Sequence, residues 1–178
     1  MNGTPGPVIF VLDSNIFIEA KQRYYAFDIC PGFWQALIWQ YSQGRLISVD
    51  RVKVELTDKF EDHDELKAWV LTSMPEGCFS GTDQDAVVRA YGEAIAWVME
   101  QDFTPAAKAE FASTDNADAW VIAFAKAVGA TLVTHERPNP NRKNRVPIPN
   151  VCDALGIQYV DTFDMLRALA TQFSWQEP

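Results

Sequence analysis

Histidine and cysteine are scarce in this sequence. There are 2 histidines, His63 and His135, and 3 cysteines, Cys30, Cys78 and Cys152. The cysteine count is odd, the spacing is wide and no Cys-x-x-Cys occurs, which argues against a disulfide framework and a zinc ribbon. Three free, mostly buried thiols are expected, as is usual for unpaired cysteine. A metal would have to be held mainly by carboxylates, which favours Mg²⁺ or Mn²⁺ over zinc.

Positive charge is short as well. Lys and Arg number 15 against 24 Asp and Glu, for a formal net charge of −9. This excludes a generally basic nucleic-acid coat. It leaves nucleic acid open as a substrate, because acidic side chains can hold a metal that phosphate then joins. Long apolar runs are missing too. The longest, Ala119 to Ala125, lies between Asp118 and Lys126 and is about a third of what a membrane-spanning helix needs. Met1 to Pro7 carries no basic residue, and the apolar stretch Val8 to Leu12 ends at Asp13. No signal peptide, no membrane association and a cytoplasmic location are therefore expected.

What is present is an ordinary globular composition over 178 residues, 48% apolar and 12% aromatic. A chain of this length buries roughly two-thirds of its unfolded surface, enough for one core. One domain over residues 1–178 is expected. Val8 to Leu12 suits a strand buried on both faces, and Asp13-Ser14-Asn15 then opens a short helix. Pro31 starts another helix, closed by Gly44. Leu46 to Val49 reads as a strand or an extended entry to a helix that Asp50 caps and that carries Glu55. A charged helix from about Asp62 ends at Met74-Pro75, and Gly77 to Gly81 reads as loop. Thr82 or Asp83 starts a long helix, and Pro105 a shorter one. Thr114 to Val128 is a helix capped by Thr114 or Asp115 and ended by Gly129. Thr131 to Thr134 is a second buried strand. Glu136 to Pro149, with four prolines and three asparagines, is an irregular loop. A short helix from Val151 to Leu155, a strand from Ile157 to Val160 and a helix capped by Asp161 or Thr162 complete the chain. This order predicts an α/β fold: a parallel sheet sandwiched by helices, with an all-helical insertion over about residues 57–112.

Ligands of parallel α/β sheets sit beyond the carboxyl ends of the strands. Asp13 follows the first strand directly, and Glu136 lies two residues past Thr134. Asp118 is in the first turn of the helix leading into the second buried strand, and Glu55 lies mid-helix between Val54 and Leu56. Asp115 and Asp118 can face the same way if that helix has begun by Asp115. Acids sharing one pocket repel one another, and a divalent metal with oxygen ligands resolves the repulsion. Such a site can activate water against a phosphodiester. Taken singly, each acid also fits an ordinary capping or solvated position.

Together these residues resemble the PIN-domain family. Val11-Leu12-Asp13-Ser14-Asn15-Ile16-Phe17-Ile18 resembles its opening strand and helix, and Val54-Glu55-Leu56 the helix of its second acid. Asn116 to Ala123, followed by Gly129 to Glu136, resembles its third-acid helix and fourth-acid strand. Val146 to Ile157 resembles the tail of a PIN-like subgroup related to VapC-type toxins. The resemblance implies a Mg²⁺- or Mn²⁺-dependent endoribonuclease acting as the toxin of a type II toxin–antitoxin pair. It implies Asp13 and Asp118 as direct metal ligands, with Glu55 and Glu136 holding metal-bound water or a second metal. Asn15 and Thr134 would orient the Asp13 carboxylate and the scissile phosphate, and Asp115 would be a secondary acid. RNA as substrate, a small antitoxin as partner and a homodimer are likewise implied. Glu136 departs from the Asp usual at the fourth position, and a longer side chain shifts the ligand by about one methylene. His135, where the family varies, is a candidate phosphate contact.

Arg137, Arg142, Lys143 and Arg145 lie within nine residues directly after Glu136. A basic loop beside an acidic pocket suits a phosphate clamp, although charge runs are often merely solvated. Trp34, Trp39, Tyr41, Trp69, Trp97 and Trp120 sit at helical spacing and are expected mainly in the core. A DNA nuclease, and an interaction protein that keeps the fold without catalysis, are the alternatives.

Overall fold

The computed structural model describes residues 8–174; the reading of residues 1–7 as carrying no leader lies outside them. Among the described residues five short strands and nine α-helices alternate. They are β1 (Phe10–Leu12), α1 (Ser14–Glu19), α2 (Pro31–Ser42), β2 (Leu46–Val49), α3 (Asp50–Asp58) and α4 (Glu65–Thr72). Then come β3 (Phe79–Ser80), α5 (Asp85–Glu100), α6 (Pro105–Phe111), α7 (Ala117–Val128), β4 (Thr131–Val133), α8 (Ile148–Leu155), β5 (Tyr159–Val160) and α9 (Thr162–Ala168). A π-helical turn, Ala20–Tyr24, continues α1.

The strands form one sheet in the order β3-β2-β1-β4-β5, and every pairing is parallel. β1 is central, with Phe10 facing Leu46 on one side and Thr131 on the other. All three of its residues are buried, as a strand covered on both faces requires. The α/β sandwich expected from the sequence is the observed one.

α7 lies at the centre of the helical layer. Eight of its residues are buried, and Gly129, at φ +67°, ends it in the left-handed conformation that a side chain resists. The sheet and α7 share the core with Phe17, Phe33, Leu56, Leu66 and Met165, all fully or almost fully buried. Leu132→Ala, in the middle of β4 with no exposed surface, is expected to cost about 3 kcal/mol by leaving a cavity there, measured by urea denaturation.

Several local expectations shift. The segment read as loop from Gly77 to Gly81 contains β3, which pairs with β2 through Ser48 and Phe79. Two residues are too few to show an alternating pattern, and the stretch 57–112 is therefore helical apart from one edge strand. α7 begins at Ala117, not Thr114, because Asn116 rather than Thr114 or Asp115 caps it, accepting the Asp118 N–H at 2.9 Å. α8 starts three residues before Val151, since Pro149 in its first turn needs no N–H partner. The three cysteines are free, Cys78 and Cys152 buried and Cys30 half-buried. Trp34, Trp69 and Trp120 are in the core, whereas Trp39 is exposed. Among the described residues no helix is long and apolar enough to cross a membrane.

Candidate functional site

The strand ends place the acids. Asp13 follows β1 at the centre of the sheet and is completely buried. Its carboxylate accepts hydrogen bonds from Ser14 Oγ at 3.3 Å, Asn15 Nδ2 at 3.3 Å and Thr134 Oγ1 at 3.2 Å. Thr134, just past β4, also accepts the Glu136 N–H at 3.2 Å. Asn15 and Thr134 thus hold the Asp13 carboxylate from two elements.

Asp118 enters from the first turn of α7, Glu55 from α3, and Glu136 from the chain leaving β4. The Asp13 carboxyl is pushed up to about 8, first by burial and then by the charges of Asp118, Glu136 and Glu55. Asp118 rises to about 6, again by burial first and then by Glu136, with Arg145 opposing. The charges of Asp118, Glu136 and Glu55 thus act on Asp13, and those of Glu136 and Glu55 act on Asp118.

Arg145 supplies part of that charge. Its guanidinium is 2.7 Å from Glu136 Oε1 and 3.4 Å from Asp118 Oδ2. Burial disfavours the charged guanidinium, but Glu136 and Asp118 outweigh it and hold Arg145 above its ordinary value. Lys59 pairs with Glu55 one helical turn away. The second Glu136 oxygen accepts the Ile148 N–H at 2.8 Å, so Glu136 caps the N-terminus of α8.

An open cleft of about 550 Å³ leads to the cluster, lined among others by Asn15, Glu55, Lys59, Glu110, Asp115 and Asp118. Asp115 precedes α7 rather than lying on it, yet it still reaches this cleft. Glu110 on α6 was not foreseen from the sequence. It lies in a helix that carries no motif, and its place in the cleft wall and its charge acting on Arg145 mark it. Lys59 was missed for a similar reason, being one basic residue on a charged helix.

The basic loop is split. Arg145 turns into the acids, Lys143 approaches Asp102 at 3.5 Å, and Arg137 approaches Asp161 at 3.5 Å. Arg142 is exposed. His135 sits 2.9 Å from Thr162 Oγ1.

Among the described residues, no three His, Cys, Asp or Glu side chains are gathered tightly enough to hold a metal ion. Glu55 and Glu136 are instead drawn to Lys59 and Arg145. The donor chemistry nevertheless fits a hard divalent ion. Every donor is an oxygen, Asp13 is pre-oriented by three hydrogen bonds, and the cluster holds fewer cations than carboxyls.

Two solved structures share the fold. A chain of VapBC2 from Rickettsia felis, bound to a DNA fragment from their promoter, aligns with a TM-score of 0.53 at 15% identity, covering 86% of this chain and 98% of that one. A chain of FitAcB from Neisseria gonorrhoeae aligns with a TM-score of 0.53 at 14% identity, covering 85% and 96%. No curated protein matches the sequence. A family model described as a domain of unknown function, DUF4411, matches residues 10–173. Because that match takes in nearly all of the sequence, the chain belongs to the DUF4411 family.

Proposed function

We propose that this chain is a PIN-type, metal-dependent endoribonuclease, the toxin of a type II toxin–antitoxin pair, folded as a single domain. The observation that carries the proposal is the meeting of acids at the carboxyl ends of a parallel sheet: buried Asp13 held by Thr134, Asp118 and Glu136 on one Arg145 guanidinium, and Glu55 lining the same cleft as Asp118. Likeness in fold to chains of VapBC2 and FitAcB supports a small protein antitoxin as partner.

Asp13 and Asp118 are the residues that would hold Mg²⁺ or Mn²⁺, with Glu55 and Glu136 beside them. A divalent ion held there would supply charge to offset the carboxylates, to acidify water and to stabilise the leaving 3′ oxygen. Asn15 and Thr134 fix the Asp13 carboxylate. Arg137, Arg142 and Lys143 lie on the loop next to the cluster, where they can bind backbone phosphates. Asp115 and Glu110 add negative charge to the cleft wall and disfavour phosphate away from the ion.

Labelled RNA and DNA oligomers incubated with Mn²⁺ test the reading. RNA is expected to be cut to 5′-phosphate and 3′-hydroxyl products, with DNA left intact. Asp118→Asn is expected to lower the rate at least a hundredfold. Cleavage of RNA by Asp118→Asn at the wild-type rate, in protein free of contaminating nuclease, would remove this site from the reaction. Preferential cutting of DNA would replace the substrate class.

A further inference from the structure

The acidic cluster is flanked on its other side by three aromatic rings that no part of the proposed chemistry uses. Tyr24 closes the π-helical turn that continues α1. It is 50% exposed, and Phe163, the second residue of α9, is 38% exposed. Their rings meet edge to face, with centroids 5.7 Å apart at 78°. The His135 ring lies 6.3 Å from Tyr24, tilted by 36°. The Thr162 hydroxyl, 2.9 Å from Nε2, holds that imidazole in place.

This trio is tied to the site by the chain itself. His135 sits between Thr134, which donates to Asp13, and Glu136. Tyr24 is at the end of the helical segment that Asp13 begins. Phe163 opens the helix after β5, the strand next to β4. The rings therefore stand over the carboxyl edge of the sheet, on the β5 flank of the acids. The open cleft occupies the opposite flank, between α3, α6 and α7.

Cations accompany the rings. Arg137 is 82% exposed and approaches Asp161, two residues before Phe163. Arg23, beside Tyr24, is exposed too. Half-exposed aromatic rings next to exposed positive side chains are the two ingredients of single-strand binding: bases stack and phosphates pair. A π-helical turn costs hydrogen-bond geometry and tends to be kept where a side chain must be re-aimed for function.

We infer that Tyr24, His135 and Phe163 form a stacking platform for an unpaired nucleobase. The base belongs to a nucleotide of the same single strand whose phosphate lies at the acids. The inference rests on the nuclease reading for the position of that phosphate. Edge-to-face packing with Phe163 braces the half-exposed Tyr24 ring for that contact. Such a platform selects single strands over duplexes, because a paired base cannot offer its face.

The test is binding of the full-length protein, in chelator, to a fluorescein-labelled uridine octamer and to the same backbone with abasic sites. Tyr24→Ala is expected to weaken binding of the octamer on the order of tenfold, while Tyr24→Phe retains it. Phe163→Leu, which keeps apolar volume but removes the ring, is expected to weaken it by a smaller factor. Abasic binding is expected to be unchanged in all three variants. Equal octamer binding by wild type and Tyr24→Ala would overturn the platform and assign the patch to a protein partner. Equal losses on the octamer and the abasic strand would overturn it also. Cleavage by the wild type with Mn²⁺, scored separately, judges the nuclease reading. Cleavage with Tyr24-independent binding fails the platform alone, and Tyr24-dependent binding without cleavage fails the nuclease alone.

Discussion

Arg145→Gln protein is expected to melt below the wild type in metal-free buffer at neutral pH, and to regain most of the loss when Mn²⁺ is added. Arg145 is 39% exposed, whereas the Asp118 and Glu136 side chains it bridges are 13% and 15% exposed. The contact lies between a solvated pair, worth ~0–1 kcal/mol, and a buried one whose rupture costs ~3–5 kcal/mol. A loss of about 2 kcal/mol, roughly 4–8 °C for a chain of this size, follows. Glutamine keeps hydrogen-bonding capacity and much of the volume, so the effect isolates charge. Without the guanidinium, Asp118 and Glu136 face each other with no cation between them, and a divalent ion has no internal competitor. Calorimetric titration with Mn²⁺ should accordingly show tighter binding to the variant. An unchanged melting point together with unchanged Mn²⁺ affinity would mean that Arg145 is not the counter-ion of the cluster.

The second large effect is on pH. In chelator, stability is expected to fall as pH rises from about 4 towards about 8. Asp13 and Asp118 have ordinary values of 3.8 and stand near 8 and 6 in the fold. Across that window the folded chain keeps protons that the unfolded chain has released. Proton binding then favours the folded state at the acidic end, and the advantage is lost as each folded value is passed. Each group contributes a slope of up to ~1.4 kcal/mol per pH unit. The decline should be steepest between about 4 and 6, where both carboxyls act. Asp13→Asn should flatten the profile between about 6 and 8 and raise stability at pH 8. Urea midpoints at several pH values check this. A wild-type profile as flat as that of Asp13→Asn would show that Asp13 is already ionised in the apo fold. Mn²⁺ should flatten the wild-type profile as well, by favouring the charged carboxylates.

These effects separate what the sequence made legible from what it did not. β1, α7 and β4 were readable because each is an apolar run ended by strong local chemistry: Asp13, Gly129 and the polar loop after Thr134. The acids could be located because parallel strands aim their carboxyl ends at one edge. β3 was not readable, since two residues give no periodicity and their pairing with β2 comes entirely from tertiary context. The basic loop misled in part. Among Pro and Asn, a run of cations looks solvated, and nothing local distinguishes Arg145, which turns inward, from Arg142, which does not. The cue lies across space in Asp118 and Glu136. Tyr24 went unnoticed because its place depends on a π-helical turn, which periodicity of 3.6 does not anticipate. Glu110 and Lys59 reach the cleft only through the packing of α6 and α3.

Glutamate at position 136 has one further consequence. One oxygen takes Arg145 and the other takes the Ile148 amide, so a single carboxylate buckles both ends of the segment from Glu136 to Ile148. An aspartate would be one methylene shorter and hard pressed to span both. Any ligand that competes for Glu136 thus slackens the buckle and frees the basic tip at Arg142 and Lys143. Trypsin, which cuts after such residues, becomes a reporter of site occupancy that requires no nucleic acid at all.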